Sequence, residues 1–415
     1  MTDPYAALRY PEYRFFLATQ FLFTIGIQIQ EVVVSFYLYE ITGDPLVLGL
    51  VGLFVAVPYI SVTLFGGYLA DNYDKRIIAQ ICFAIVILCS VALYFGTHKS
   101  YGFEQSSHPT LIYATVFAYG LARGFYSPAW SSLKPFLVRE EHYANSATWS
   151  TQFWQTGLIV GPAMAGFLYA YLGLSNSILL VISLLFLVII FSFQIKRRKA
   201  AVMQRGNVIK SLSEGFRFVY KNKILYYAVL LDMLSVLFGG VVAILPVFAK
   251  DILEVGAEGL GILRAAPGLG AVITMFFLAY FDPTRNAWRN MLLAVAGFGV
   301  ATLFFALSVN FYLSIFALFL TGAFDSVSVV IRSTILQTLP PDHMRGRVTS
   351  VNGIFVSTSN ELGAFESGVA ARFLGTVASV VAGGMMTLGV VSYIALKSKK
   401  LFDVKLAKVV DEKHS

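Results

Sequence analysis

Ionisable side chains interrupt the long apolar stretches of this sequence, and they are the residues whose chemistry could carry a function. A charge at the centre of a membrane-spanning helix costs about 2.5–3.5 kcal/mol, so each such residue is a candidate for a functional role. A protein interior that contains both positively and negatively charged side chains suits a zwitterionic or polar ligand. It also suits a carboxylate that binds and releases protons. The alternative is that these charges pair with one another only to survive burial. The candidates are Glu31, Arg123, Asp232, Asp325, Arg332, Glu361.

One of these carboxylates is expected to carry protons. Glu31 is the best candidate, because neighbouring amides, Gln28 among them, can bond the acid when it is neutral. Asp325 comes second, since Arg332 lies two turns away on the same helix face and would hold it ionised. A permanent ion pair cannot shuttle protons. Arg123 is assigned to substrate binding or charge balance, because arginine stays protonated.

The elements that must position these residues are apolar and long. The chain has 415 residues, of which 57% are apolar and 13% charged, whereas a soluble domain is about 25% charged. This composition argues against a soluble enzyme, a disordered protein or a disulfide scaffold. Crossing a bilayer takes about 20 apolar residues, and twelve stretches qualify: 14–39, 46–70, 77–97, 110–137, 147–172, 175–195, 224–249, 259–281, 290–308, 311–338, 348–371, 376–396.

These stretches fall into two sets of six. Backbone groups in lipid must be satisfied internally, so the stretches are helices. The sequence therefore predicts an all-α membrane protein with twelve transmembrane helices in two pseudo-symmetric halves. The expected divisions are an N-terminal half, a cytoplasmic linker, a C-terminal half and a cytoplasmic tail, at 1–195, 196–223, 224–396, 397–415.

The halves resemble each other weakly. Setting Gly120 against Gly322, an offset of 202 residues, pairs the fourth span with the tenth and continues into the next loop. Duplicated six-helix halves around a midplane site are typical of alternating-access carriers.

The linker contains an apolar face at helical spacing, formed by Ile209, Leu212, Phe216 and Val219. This pattern predicts an amphipathic helix on the inner membrane surface. A solvated linker is the alternative.

Lysine and arginine positions give the orientation. With both tails inside, 25 of the 31 basic residues are cytoplasmic and three are external, as the positive-inside rule requires. We expect cytoplasmic termini.

The strongest local motif is GYLADNYDKR at residues 67–76, between the second and third spans. It resembles the G-x-L-A-D-x-x-x-R/K signature of the major facilitator superfamily. Gly67 would let the second span approach a neighbour closely, and Asp71 would bond across the loop. Lys75 and Arg76 would hold the loop at the cytoplasmic face. The resemblance implies that this loop stabilises one conformation of a transporter; a tight basic turn is the alternative.

The fifth span carries GLIVGPAMAG at residues 157–166. It is similar to the G-x3-G-P-x2-G-G element of exporters in that superfamily, although Ala165 replaces a glycine. Gly157 and Gly161 form a small-residue seam, and Pro162 permits a bend. Glycine seams are common in membrane helices, so simple packing stays open.

Three further stretches, at 36–50, 337–350 and 359–368, resemble the branch of the bacterial enterobactin exporter and macrolide efflux proteins. The last includes Asn360 beside Glu361, and we count both as site candidates. The resemblance implies a proton-coupled exporter of a siderophore or drug-like molecule in the bacterial inner membrane. An importer or lipid flippase on the same fold, or a channel, is the alternative.

Other chemistry is not expected. The sequence has no P-loop pattern, and its five histidines fall in predicted loops or the tail, which disfavours a metal site. Cys82 and Cys89 are interpreted as core residues. We predict no cofactor, no catalytic residues, no nucleic-acid partner and a monomer in the lipid bilayer.

Overall fold

The computed structural model describes residues 3–98, 105–197, 208–278, 280–281 and 283–402. Its regular secondary structure over these residues is helical, with no strand. The principal helices, in chain order from α1 to α12, are Pro11–Thr42, Pro45–Asn72, Lys75–Thr97, His108–Leu133, Tyr143–Phe193, Val208–Lys221, Lys223–Gly239, Gly256–Leu278, Ala287–Leu307, Phe311–Thr338, Asp342–Leu374, Thr376–Lys397.

Nine helical segments of the described residues are long and apolar enough to cross a membrane. One of them, Glu140–Phe193, covers the predicted stretch 147–172 and nearly all of 175–195, and Gly173 interrupts its helical geometry with a φ of 71°. α4 and α11 do not qualify by this criterion, although both are long helices. The all-helical membrane fold is confirmed, whereas the count of twelve spans stays a prediction.

The ends of several helices follow from the local sequence. The Asp74 carboxylate accepts a hydrogen bond from the backbone N–H of Arg76 at 3.0 Å and so caps α3. Asn222 caps α7 in the same way. Gly43 ends α1 with a φ of 63°, the left-handed conformation that glycine adopts without steric cost.

The described chain forms two compact units. Unit 1 contains Met1–Gly43, Leu50–Arg205 and Gly256–Ala265, and unit 2 contains Asp44–Gly49, Gly206–Val255 and Ala266–Ser415. Two short segments therefore depart from the expected halves. The start of α2 belongs to unit 2 and the start of α8 belongs to unit 1.

Close backbone approaches explain these two departures. In unit 2, a Cβ added to Gly49 would lie 3.0 Å from the Cα of Gly368 in α11. In unit 1, a Cβ on Gly166 of α5 would lie 2.9 Å from the Cα of Gly261 in α8. Helices without a side chain at the crossing point can pack backbone against backbone.

Residues related by the 202-residue offset pack alike. A Cβ on Gly120 in α4 would lie 2.8 Å from the Pro58 ring in α2, and one on Gly322 in α10 would lie 2.7 Å from the Cα of Pro267 in α8. Each contact lies inside its own unit. The same offset relates two further pairs of glycines, Gly161 with Gly363 and Gly166 with Gly368.

The linker helix α6 packs on protein. Val219 is buried in a core cluster that also contains Val348 and Val351 of α11. Glu214 forms an ion pair with Arg347. The amphipathic helix of the linker therefore packs at least part of its apolar face on protein, and its position on the inner leaflet stays a prediction. The side chain of Ile209, the linker residues 198–207 and the tail beyond Phe402 lie outside the described part.

Candidate functional site

Glu31 lies well inside α1 and has a cationic partner. Its Oε1 is 3.1 Å from a terminal nitrogen of Arg264 in the first turns of α8, and both residues belong to unit 1. The Arg264 side chain is 5% exposed, whereas that of Glu31 is 43% exposed. The Nε2 of Gln28 lies 3.5 Å from the other carboxylate oxygen. The sequence did not indicate Arg264 as this partner.

Two glycines of α5 support this part of α1. A Cβ on Gly161 would lie 2.6 Å from the Cβ of Gln28, and one on Gly157 would lie 2.9 Å from Thr24. Pro162 is buried next to them. The small residues let α1 and α5 touch, so they fix the position of the Gln28 and Glu31 side chains.

A second ion pair lies within unit 2, between Asp232 of α7 and Arg332 of α10. Both side chains are 7% exposed, so this pair is buried. The expected pairing of Arg332 with Asp325 is therefore wrong. Residues seven positions apart on a helix are separated by about 10.5 Å along its axis, whereas α7 brings Asp232 directly to the guanidinium. Burial and pairing together indicate that Asp232 and Arg332 hold α7 against α10.

Asp325 is half-buried and has no ionic or hydrogen-bonding partner among the described residues. On α11, Glu361 is half-buried, and Asn360 is exposed and donates to the carbonyl of Val356 at 2.8 Å. Asp325 is thus an intramembrane carboxylic acid of unit 2 that no cation holds ionised.

Arg123 of α4 lies over the ring of Tyr59 in α2, with 4.8 Å between the guanidinium carbon and the ring centroid. Such a cation–π contact contributes about 0.5–2 kcal/mol. Sequence reasoning missed Tyr59, and no spacing rule on α2 would have found it. The contact holds the Arg123 guanidinium against α2 within unit 1, and its role in substrate binding or charge balance stays a prediction.

The loop between α2 and α3 differs from expectation at its glycine. A Cβ on Gly67 would meet nothing within 4 Å, whereas one on Gly66 would overlap the carbonyl oxygen of Gly124 in α4. The close approach therefore occurs at Gly66. Successive residues on a helix point about 100° apart. A Cβ at position 66 therefore points toward α4, whereas one at position 67 points away from it.

The acidic and basic side chains of this loop differ in their exposure and in their contacts. Asp71 is exposed and makes no hydrogen bond or ion pair with the described residues. Lys75 is 6% exposed, and its ammonium lies 5.5 Å from the centroid of Phe136. Arg76 lies 5.3 Å from the centroid of Phe193. The two basic side chains are thus fixed by aromatic rings in unit 1, while Asp71 is accessible.

Two polar contacts at helix ends were not predicted. Asp44 forms an ion pair with Arg372 within unit 2. His108, expected in a loop, is the first residue of α4; it is 6% exposed and hydrogen-bonded to the Tyr37 hydroxyl at 2.5 Å. The described residues contain no group of three His, Cys, Asp or Glu side chains that could hold a metal ion.

Comparisons with known proteins agree with this architecture. The family described as transmembrane secretion effector matches residues 2–413. The enterobactin exporter EntS of Shigella boydii serotype 4 (strain Sb227) is 24% identical over 407 residues, covering 95% of this chain and 94% of the relative. The EntS protein of Escherichia coli O81 (strain ED1a) matches to the same extent.

Solved structures share the fold. A POT family transporter in complex with thioalcohol conjugated peptide has a TM-score of 0.74 at 11% identity, covering 94% of this chain and 96% of that chain. A bacterial homologue of the human lysosomal transporter Spinster has a TM-score of 0.68 at 14% identity, covering 97% and 98% respectively. At these identities the likeness concerns the fold alone.

Proposed function

Because this chain belongs to the transmembrane secretion effector family of the major facilitator superfamily, we propose that it exports a siderophore or drug-like small molecule. It is a multi-pass membrane protein and a transporter. In this proposal it lies in the bacterial inner membrane as a monomer with both termini in the cytoplasm. Transport proceeds by alternating access and is driven by protons.

The observation that supports proton coupling is the unpaired carboxyl group of Asp325. A coupling acid must exist in both protonation states during the cycle. Glu31 is paired with Arg264, and Asp232 with Arg332, so each of these acids lies in an ion pair. By the criterion that a permanent ion pair cannot shuttle protons, the coupling role passes from Glu31 to Asp325.

The loop and seam residues are assigned to the conformational change. Asp71 is accessible at the end of α2, and Gly161 permits the contact between α1 and α5. In this proposal, Asp71 makes its charge contact in another conformation of the transporter.

An efflux assay tests the proposal. A deletion strain is complemented with the parent protein or with Asp325→Asn, and retention of enterobactin and of erythromycin is measured with and without a proton-gradient uncoupler. We expect the parent to lower retention of at least one compound only while the gradient exists. Asp325→Asn should abolish gradient-driven efflux but allow exchange of substrate down its own gradient.

Asp3→Asn is the matched control, because it changes the same group at a half-buried position beside Arg9, outside the predicted spans. Uptake of both compounds by the complemented cells would indicate an importer. Flux that does not saturate and ignores the uncoupler would indicate a channel. Full gradient-driven efflux by Asp325→Asn would exclude Asp325 as the coupling acid.

A further inference from the structure

In the ion pair of Glu31 and Arg264, the carboxylate is accessible and the guanidinium is buried. The guanidinium of Arg264 is almost completely enclosed, at 5% side-chain exposure, whereas the Glu31 side chain is 43% exposed. A charge inside a membrane protein faces either the protein interior or a water-filled cavity, because lipid solvates it poorly. The exposed part of Glu31 therefore faces water within the protein.

The two oxygens of Glu31 differ in their surroundings. Oε1 accepts a hydrogen bond from Arg264 at 3.1 Å. Oε2 has one neighbour, the amide nitrogen of Gln28 at 3.5 Å, which is at the limit of a hydrogen bond. An ionised carboxylate only accepts hydrogen bonds, so Oε2 retains the capacity to accept one from a ligand.

No other described charge competes for this oxygen. The α5 turn beside Gln28, residues 157–166, has no ionisable side chain. Glu258, at the start of α8, accepts a hydrogen bond from the Tyr171 hydroxyl. On the neighbouring α3, Ser90 donates to Gln30 and carries no charge. Arg264 is thus the cation that fixes the Glu31 carboxylate, and it does so from the side away from water.

We propose that Glu31 is the residue that selects the substrate and that Arg264 is its positioning residue. The exposed carboxylate edge binds a protonated amine, or another strong nitrogen donor, of an apolar substrate, and it disfavours anions. This inference rests on the proposed export function and narrows its substrate class to cationic, donor-bearing molecules.

Binding of two probes of opposite charge tests the inference. Ethidium, an aromatic cation with amino groups, and fluorescein, an aromatic anion, are titrated by fluorescence into the purified full chain in detergent. We expect the parent protein to bind ethidium at least tenfold more tightly than fluorescein. Glu31→Gln should weaken ethidium binding about tenfold or more, the loss expected for a hydrogen bond to a charged group.

The Arg264 variants separate positioning from folding. Arg264→Lys keeps a cation beside Oε1 and should retain ethidium affinity within about threefold, whereas Arg264→Gln should lose as much as Glu31→Gln. In inverted vesicles, Arg264→Gln should raise the KM for ethidium, while its kcat stays within twofold of the parent value. Glu12→Gln is the matched control, since it makes the same chemical change at a carboxylate that is 20% exposed and paired with Lys196 at the start of α1.

Two results would overturn the inference: a parent protein that does not prefer ethidium, or Glu31→Gln protein that binds ethidium as the parent does. The first comparison needs no variant, so it decides the substrate class even if a substitution prevents folding. Neither result affects the proposed export function, which the enterobactin and erythromycin assay tests separately.

Discussion

Adjacent glycines at the end of α2 should respond oppositely to the same substitution. Gly66→Ala places a methyl group against the carbonyl oxygen of Gly124 and 3.0 Å from the Cα of Phe125, whereas Gly67→Ala places it in open space. Both new contacts of Gly66→Ala are with backbone, which has no rotamer to change, so α2 and α4 must move apart. Overpacking of this kind costs about 1–3 kcal/mol.

The expected effect on thermal stability follows from this cost. A loss of 1 kcal/mol lowers the melting temperature by about 2–4 °C in proteins of 150–250 residues and by less in a longer chain. We expect Gly66→Ala to melt a few degrees below the parent in detergent. Gly67→Ala should melt at or slightly above the parent temperature, because alanine favours a helix by up to about 1 kcal/mol over glycine.

Fluorescence-detected size-exclusion chromatography after heating measures both variants against the parent. The two variants are matched controls for each other, since they differ by one position and make the same chemical change. Equal melting temperatures, or a lower one for Gly67→Ala, would refute the assignment of the close approach to Gly66.

Four further substitutions test the same structure. Gly161→Val should abolish transport or cause a leak, because a Cβ at this position would already lie 2.6 Å from the Cβ of Gln28. Ala165→Gly is the control and should transport normally. Transport at the parental rate by Gly161→Val would contradict the close contact. Asp71→Asn should transport little yet melt at the parental temperature, since Asp71 has no described partner; a lowered melting temperature would instead indicate a structural role. Val219→Asp should lower the melting temperature by several degrees, because it buries a charge at a site that is 4% exposed, and parental stability would show that α6 does not dock on α11.

The sequence was sufficient for the properties that depend on local pattern. Apolar length predicted the helices, and small residues at helical spacing predicted the close approach at Gly161, which contacts α1. The membrane environment makes these rules strong, because lipid leaves the backbone few alternatives to a helix.

Partners that depend on tertiary placement could not be predicted. Glu31 and Arg264 are far apart in the chain, as are Asp232 and Arg332, and nothing in the spacing along either helix indicates which opposite charge will be adjacent. The apolar face that includes Val219 illustrates the same gap, since its pattern fits a lipid surface and a protein groove equally well.

The buried pair of Asp232 and Arg332 also constrains how the protein is made. Arg332 leaves the ribosome about 100 residues after Asp232, a delay of about 5–20 s at usual rates of synthesis. During that interval α7 must enter the bilayer carrying an acid without its cation, at a cost of about 2.5–3.5 kcal/mol. An 18-residue window within Lys223–Ile252 has a mean hydropathy of 2.4, which favours insertion despite that charge. α7 can therefore insert first, and the Asp232 carboxylate gains its cation only when α10 arrives.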